Sequence, residues 1–184
     1  MRTKLLELNS VPRLTKRRLL PENHKIEIMT QLKDHIHRML LEFIQEIERA
    51  KWQGKERELV SHFAFSKLVK NVGCCPEFQD VAQIAIEVRV KQVKGRSKEN
   101  VCKDMMIWPK PGQTFMNRDA VPFCIIEWKH RLKEPYPYDV EWLRDYTRVH
   151  PDCFGIALTV ENEARYRLRA ILIENGEVSD QHWI

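Results

Sequence analysis

The chain is poor in glycine, with 6 among 184 residues, and its 9 prolines are an ordinary share. With 43% apolar and 31% charged residues, that composition excludes a disordered chain and describes a globular one. No apolar run approaches the roughly 18 residues that a membrane span needs. The N-terminus lacks the apolar stretch of a secretory leader. Cys74, Cys75, Cys102, Cys124 and Cys153 make an odd set with no CxxC pair. Adjacent Cys74 and Cys75 are poorly placed to bond each other. The expectation is reduced thiols in a cytoplasmic protein without a structural zinc site or a membrane segment. No internal repeat is evident, and the length suits one well-filled core and not two ordinary domains.

What is present is charge, unevenly spread. There are 31 Lys+Arg against 26 Asp+Glu, a net of +5. Residues 1–20 hold Arg2, Lys4, Arg13, Lys16, Arg17 and Arg18 against Glu7, so the whole excess lies there. The remainder balances, which argues against a uniformly basic nucleic-acid coat. The expected organisation is a basic arm over residues 1–21 and a single domain over 22–184.

Hydrophobic periodicity orders that domain. Ile28, Leu32, Ile36, Met39, Leu40, Phe43 and Ile47 recur at helical spacing and predict a long amphipathic helix over residues 25–51. That helix could serve as a dimer arm, a cover for the sheet or a DNA clamp. After Gln53-Gly54 a second helix is predicted over 55–70, with Leu59, Val60, Phe63 and Leu68 inward. The period then becomes two. Strands are predicted over 82–90, 101–108 and 123–130, the last nearly all apolar up to Glu127, as suits a sheet centre. A loop at 109–122 separates the second and third. A third helix follows over 139–150, then a strand over 153–160. A C-terminal hairpin over 161–184 turns at Asn175-Gly176. The expected fold class is an α/β sandwich around a mixed sheet.

Three acids and a lysine stand out against this pattern. Glu127-Trp128-Lys129 closes the central apolar strand, and residues i and i+2 of a strand share a face. An acid and a base there are costly to bury unless paired or bound to a metal. It is the only [DE]-x-K triplet in the chain. Asp104 lies in the apolar strand Val101-Cys102-Lys103-Asp104-Met105-Met106-Ile107, where nothing local asks for an acid. If the two strands pair, Asp104 and Glu127 converge as oxygen ligands for Mg²⁺. The competing arrangement is an Asp104–Lys129 ion pair that leaves Glu127 alone. Glu56 precedes Leu59, Val60 and Phe63 by three, four and seven residues, which aligns its carboxylate with the buried helix face. Glu58 is expected to project away, beside His62.

The order Glu on a helix, Asp on a strand and Glu-x-Lys on the next strand resembles the PD-(D/E)XK nuclease superfamily, over roughly residues 55–160. The segment Glu56-Arg57-Glu58-Leu59-Val60 is similar to the first helix of archaeal Holliday-junction resolvases in that superfamily. Lys103 stands where the motif has proline, and the Asp104–Glu127 interval is longer than in compact resolvases. The resemblance implies a restriction-endonuclease-like α/β/α sandwich with a mixed central sheet in helix–three strands–helix–strand order, plus an extra long N-terminal helix. It further implies a Mg²⁺-dependent DNA endonuclease, with Mn²⁺ able to substitute. Asp104, Glu127 and the Trp128 backbone carbonyl would hold the metal, and Glu56 a second metal or its water. Lys129 would orient the attacking water or stabilise transition-state charge. The alternatives are a nucleic-acid-binding or assembly module that has lost turnover, and an RNA-directed nuclease. A homodimer would cut both strands most easily.

Phosphate contacts are expected from Arg89, Lys91, Lys94, Arg96 and Lys98 along the first strand and its turn. Arg13, Lys16, Arg17 and Arg18 of the arm would add to them, as would Arg144 and Arg148 on the outer side of the third helix. The stripe Tyr138, Trp142, Leu143, Tyr146 and Val149 on that helix is expected to pack on the sheet. His130 is expected on the sheet face opposite Glu127 and Lys129.

Overall fold

The long apolar stripe of the first helix needs a surface to cover, and the sheet supplies it. In the computed structural model residues 22–113, 116, 120–162 and 165–184 are described, with side chains from Met29 onward. The Ile28 side chain and the basic arm lie outside the described residues. Helix α1 spans Glu22–Arg49 and α2 spans Glu56–Phe63. The second helix continues as a π turn over Ala64–Leu68 and a 3₁₀ turn over Val69–Asn71. Three strands follow, β1 (Ile84–Lys91), β2 (Asn100–Ile107) and β3 (Cys124–His130). Next come α3 (Pro137–Val149), β4 (Phe154–Glu161), β5 (Arg167–Glu174) and β6 (Glu177–Asp180). The first strand starts later than its alternation suggests, because Val81–Gln83 form a 3₁₀ turn capped by Asp80.

The six strands form one mixed sheet in sequence order, β1-β2-β3-β4-β5-β6. Only β3 and β4 are parallel, joined by the α3 crossover; the other neighbours run antiparallel. On one face, Leu32, Ile36, Leu40, Phe43 and Ile47 of α1 and Leu59, Val60 and Phe63 of α2 join Ile126, Trp128, Ile156 and Leu158 in one buried cluster. On the other, Trp142, Leu143 and Tyr146 of α3 pack on Met106, Trp108, Ile125 and Ala157. The layers are therefore helices, sheet, helix, and α1 serves as a cover for the sheet. No helix among the described residues is long and apolar enough to cross a membrane.

Two close approaches fix α3. A Cβ on Gly155 of β4 would lie 2.9 Å from Leu143 Cδ2, so only glycine lets the helix settle this near the sheet. At the other end Arg144 donates to the Gly176 carbonyl at 3.1 Å and pairs with Glu177, while Arg148 reaches the same carbonyl. Those contacts engage both guanidinium groups within the chain, although Arg148 stays exposed and Arg144 half-buried on the side of the helix expected to touch phosphates. They bind the helix to the β5–β6 turn, where Asn175 and Gly176 both take positive φ. The stripe on α3 is also narrower than expected: Trp142, Leu143 and Tyr146 are buried, but Tyr138 and Val149 are exposed.

Candidate metal and phosphodiester site

The site forms where two strands part. Pairing between β2 and β3 covers only Met105–Ile126, Met106–Ile125 and Ile107–Cys124. Beyond Ile126 the β3 edge has no strand beside it on that side, and buried amide groups need partners. Carboxylates meet them. The Trp128 N–H donates to Asp104 Oδ2 at 2.8 Å and the His130 N–H to Glu56 Oε2 at 3.0 Å. This accounts for an acid in an apolar strand and an acid on the buried side of a helix. Two carboxylates from distant segments are thus brought to one strand edge.

Glu58 does not compete with Glu56 for that position. Its Oε2 accepts the Lys55 N–H at 2.7 Å, closing the first turn of α2. His62, expected beside Glu58, hydrogen-bonds Glu46 of α1 at 2.8 Å instead. That contact and Lys67 hold the Glu46 carboxyl below its usual range.

Next to the fork β1 and β2 break their pleat. In β1, Ile84 and Ile86 pack on the α1–α2 side, whereas Val88 and Val90 pack on the α3 side. In β2, Met105 and Ile107 face α1 and α2, whereas Val101 faces α3. The change of face occurs at Glu87, whose φ is +50°, and at Asp104, which the register sets opposite it. A non-glycine residue held there stores about 1–3 kcal/mol of strain. Glu87 is ion-paired with Arg57. Lys55, Glu56, Arg57, Val60, Glu87 and Asp104 line a cavity of about 380 Å³.

The reversal of parity brings Lys103 to the α3 side, where it pairs with Glu127. Lys103 is 3% exposed and Glu127 4%. The Lys103 ammonium also sits 3.7 Å from the centroid of the Trp142 ring, a cation–π contact. Burial pushes the Glu127 carboxyl up to about 8; Lys103 pulls against that shift, and Asp104 and Asp139 add to it. The alternative of an Asp104–Lys129 pair with Glu127 left alone is therefore not what forms.

Lys129 has one hydrogen-bond acceptor and two carboxylates around its ammonium. Its Nζ donates to the Trp128 carbonyl at 2.7 Å and lies 3.3 Å from Asp139 Oδ2 and 3.8 Å from Glu56 Oε1. Burial pulls its pKa down, but Asp139, Asp104 and Glu56 outweigh burial and raise it. Burial likewise raises Glu56, with Lys129 opposing. Trp128 anchors the triplet from the other face, its ring 5.4 Å from that of Phe63 and 6.0 Å from that of Phe43. The His130 ring lies on that same far face, against Trp52, away from the charge cluster that its backbone N–H joins.

Asp104, Glu127, Glu56 and the Trp128 carbonyl are all oxygen donors, the kind a hard divalent cation takes. Among the described residues, however, no group of three His, Cys, Asp or Glu side chains is spaced to hold a metal ion. The donors fit in kind and in number, since Mg²⁺ commonly takes one or two carboxylates and keeps its waters. Glu127 would have to exchange Lys103 for the cation.

The predicted phosphate contacts divide. Arg89, Lys91, Lys94 and Lys98 are exposed along β1, the free sheet edge, and its turn. Arg96 is not free: it pairs with Asp145 at 2.5 Å and lies over Tyr138. Arg13, Lys16, Arg17 and Arg18 lie outside the described residues. Lys103, Glu87 and Asp139 were not among the predicted site residues. Compared with protein-family models, curated proteins and solved structures, the chain matches none.

Proposed function

We propose that the protein is a Mg²⁺-dependent DNA endonuclease with a restriction-endonuclease-like core. The observation that carries this reading is the fork between β2 and β3. There Glu56, Asp104, the Trp128 carbonyl and the Lys129 ammonium meet at one strand edge beside Glu127. The helix, three strands, helix, strand sequence with a parallel β3–β4 pair supports it.

Phosphodiester hydrolysis needs an activated water and neutralisation of oxyanion charge. A bound divalent cation would supply the first and part of the second. Asp104, Glu127 and the Trp128 carbonyl are the groups that would hold it, with Glu56 beside them. Lys129, steered by the acceptors around it, presents a positive charge to the phosphate and orients the water. Trp128, wedged between Phe43 and Phe63, keeps the carbonyl and the two flanking side chains in register. The basic row Arg89, Lys91, Lys94 and Lys98 continues the strand whose Glu87 lines the cavity, giving the backbone a path to the site.

One observation favours a second reading. The buried Lys103–Glu127 pair gives the acid a cationic partner without a metal, as a nucleic-acid-binding module that has lost turnover would. The two readings separate on plasmid, single-stranded and branched DNA assayed side by side with Mg²⁺ or EDTA, with an RNA control. The nuclease reading expects Mg²⁺-dependent cleavage of at least one DNA. Binding without cleavage of any of them supports the second reading, and cleavage of RNA alone rejects DNA as the substrate.

A further inference from the structure

We propose that Asp139, an acid outside the Glu–Asp–Glu-x-Lys set, is the positioning residue for Lys129 and the route by which α3 sets the site; this rests on the nuclease reading above. Asp139 stands in the first turn of α3 and is 8% exposed. A first-turn acid answers the helix dipole wherever it points, and the dipole gives no reason to bury it. Burial of a carboxylate is costly unless a charge meets it, and Lys129 Nζ lies 3.3 Å from its Oδ2.

Lys129 is a flexible chain ending in a point charge with three donors. The Trp128 carbonyl takes one at 2.7 Å. Asp139, nearer than Glu56 at 3.8 Å, takes the second direction and fixes the azimuth of the ammonium. Asp139 itself has little freedom. Its N–H donates to the Tyr136 carbonyl at 3.0 Å, Pro137 opens the helix, and Leu143 is pressed against Gly155. From the same helix Trp142 covers Lys103, the partner of Glu127. Both charged residues of the Glu-x-Lys triplet thus depend on α3, which carries none of the motif.

The test uses the full chain with Asp139→Ala, Asp139→Asn and Asp139→Glu. In the metal-free protein, nitrogen-15 spectra of lysine ammonium groups should give a slowly exchanging Lys129 signal. Asp139→Ala should lose it and Asp139→Glu should regain it. With Mg²⁺ and plasmid DNA, kcat should fall about 10- to 100-fold in Asp139→Ala and Asp139→Asn, as for a misplaced catalytic group. KM should stay within about threefold, because Asp139 touches no substrate, and Asp139→Glu should recover most of the rate. Should Asp139→Ala not fold, the near-isosteric Asp139→Asn carries both measurements. An unchanged Lys129 signal in the neutral variants overturns the proposal, as does an unchanged kcat in an active enzyme. A wild type that cuts nothing rejects the nuclease reading, and the ammonium spectrum still decides whether Asp139 holds Lys129.

Discussion

Lys129→Ala should lower DNA cleavage about 10²- to 10³-fold, roughly 2.7–4 kcal/mol of transition-state stabilisation, at nearly unchanged DNA affinity. The ammonium sits at the strand fork among Glu56, Asp139 and the Trp128 carbonyl, where a developing oxyanion would meet a directed charge. Glu127→Ala should go further and remove detectable cleavage, since it takes away a ligand for the ion that activates the water. Each substitution also leaves a buried partner unpaired, Asp139 in the first and Lys103 in the second, so rates are compared only in preparations that are folded at the assay temperature. Trp128 and its contacts to Phe43 and Phe63 hold the strand from the opposite face and are untouched by both substitutions. Single-turnover cleavage, paired with circular dichroism melts and filter binding of the same preparations, separates these causes. A Lys129→Ala enzyme with wild-type rates would remove Lys129 from the mechanism.

The second large effect concerns stability. Lys103→Met should destabilise the protein by about 1–3 kcal/mol at pH 8, the cost of leaving one buried group of a pair without its partner. The loss arises because Glu127 keeps its burial, with Asp104 and Asp139 nearby, but loses its counter-charge. The sign of the pH dependence follows from the raised Glu127 pKa. Between the ordinary carboxylate range and about 8 the folded state holds a proton that the unfolded chain has released. Stability from this group therefore falls as pH rises through that window, by at most about 1.4 kcal/mol per unit. Without Lys103 the folded pKa moves higher still, so the decline should continue above pH 8. The double variant Lys103→Met/Glu127→Gln, with no charge left at that pair, should recover most of the stability and flatten the slope. Urea titrations in EDTA from pH 6 to pH 9 measure all three. An undiminished single variant would mean that the pair contributes nothing to the fold.

Much of this was legible in the chain. The helical stripe from Leu32 to Ile47 and the inward set Leu59, Val60 and Phe63 are buried as their spacing predicts. Strand parity put Glu127 and Lys129 on one face, and helical spacing pointed Glu56 at the sheet. What the residues hid was Lys103. Strict alternation groups it with Met105 on the α1–α2 side, and only the break at Glu87 and Asp104 turns it towards α3. A positive φ at a glutamate leaves no mark in composition or periodicity. Glu58 projects away as its spacing predicts, but its neighbour is the Lys55 amide one turn back and not His62 one turn on. Asp139 did carry a signal: Trp142, Leu143 and Tyr146 follow it by three, four and seven residues, the same pattern that singled out Glu56. The ties of Arg144 and Arg148 to Gly176 were beyond reach, since they depend on where a distant turn comes to lie.

The central claim is that Asp104 and Glu127 share a divalent cation at this fork, and a crystal of the protein soaked in Mn²⁺ tests it most directly. Anomalous scattering should give a peak bound by Asp104, Glu127 and the Trp128 carbonyl, with Lys103 released from Glu127. No peak at the fork at saturating Mn²⁺, with the Lys103–Glu127 pair intact, would contradict the account.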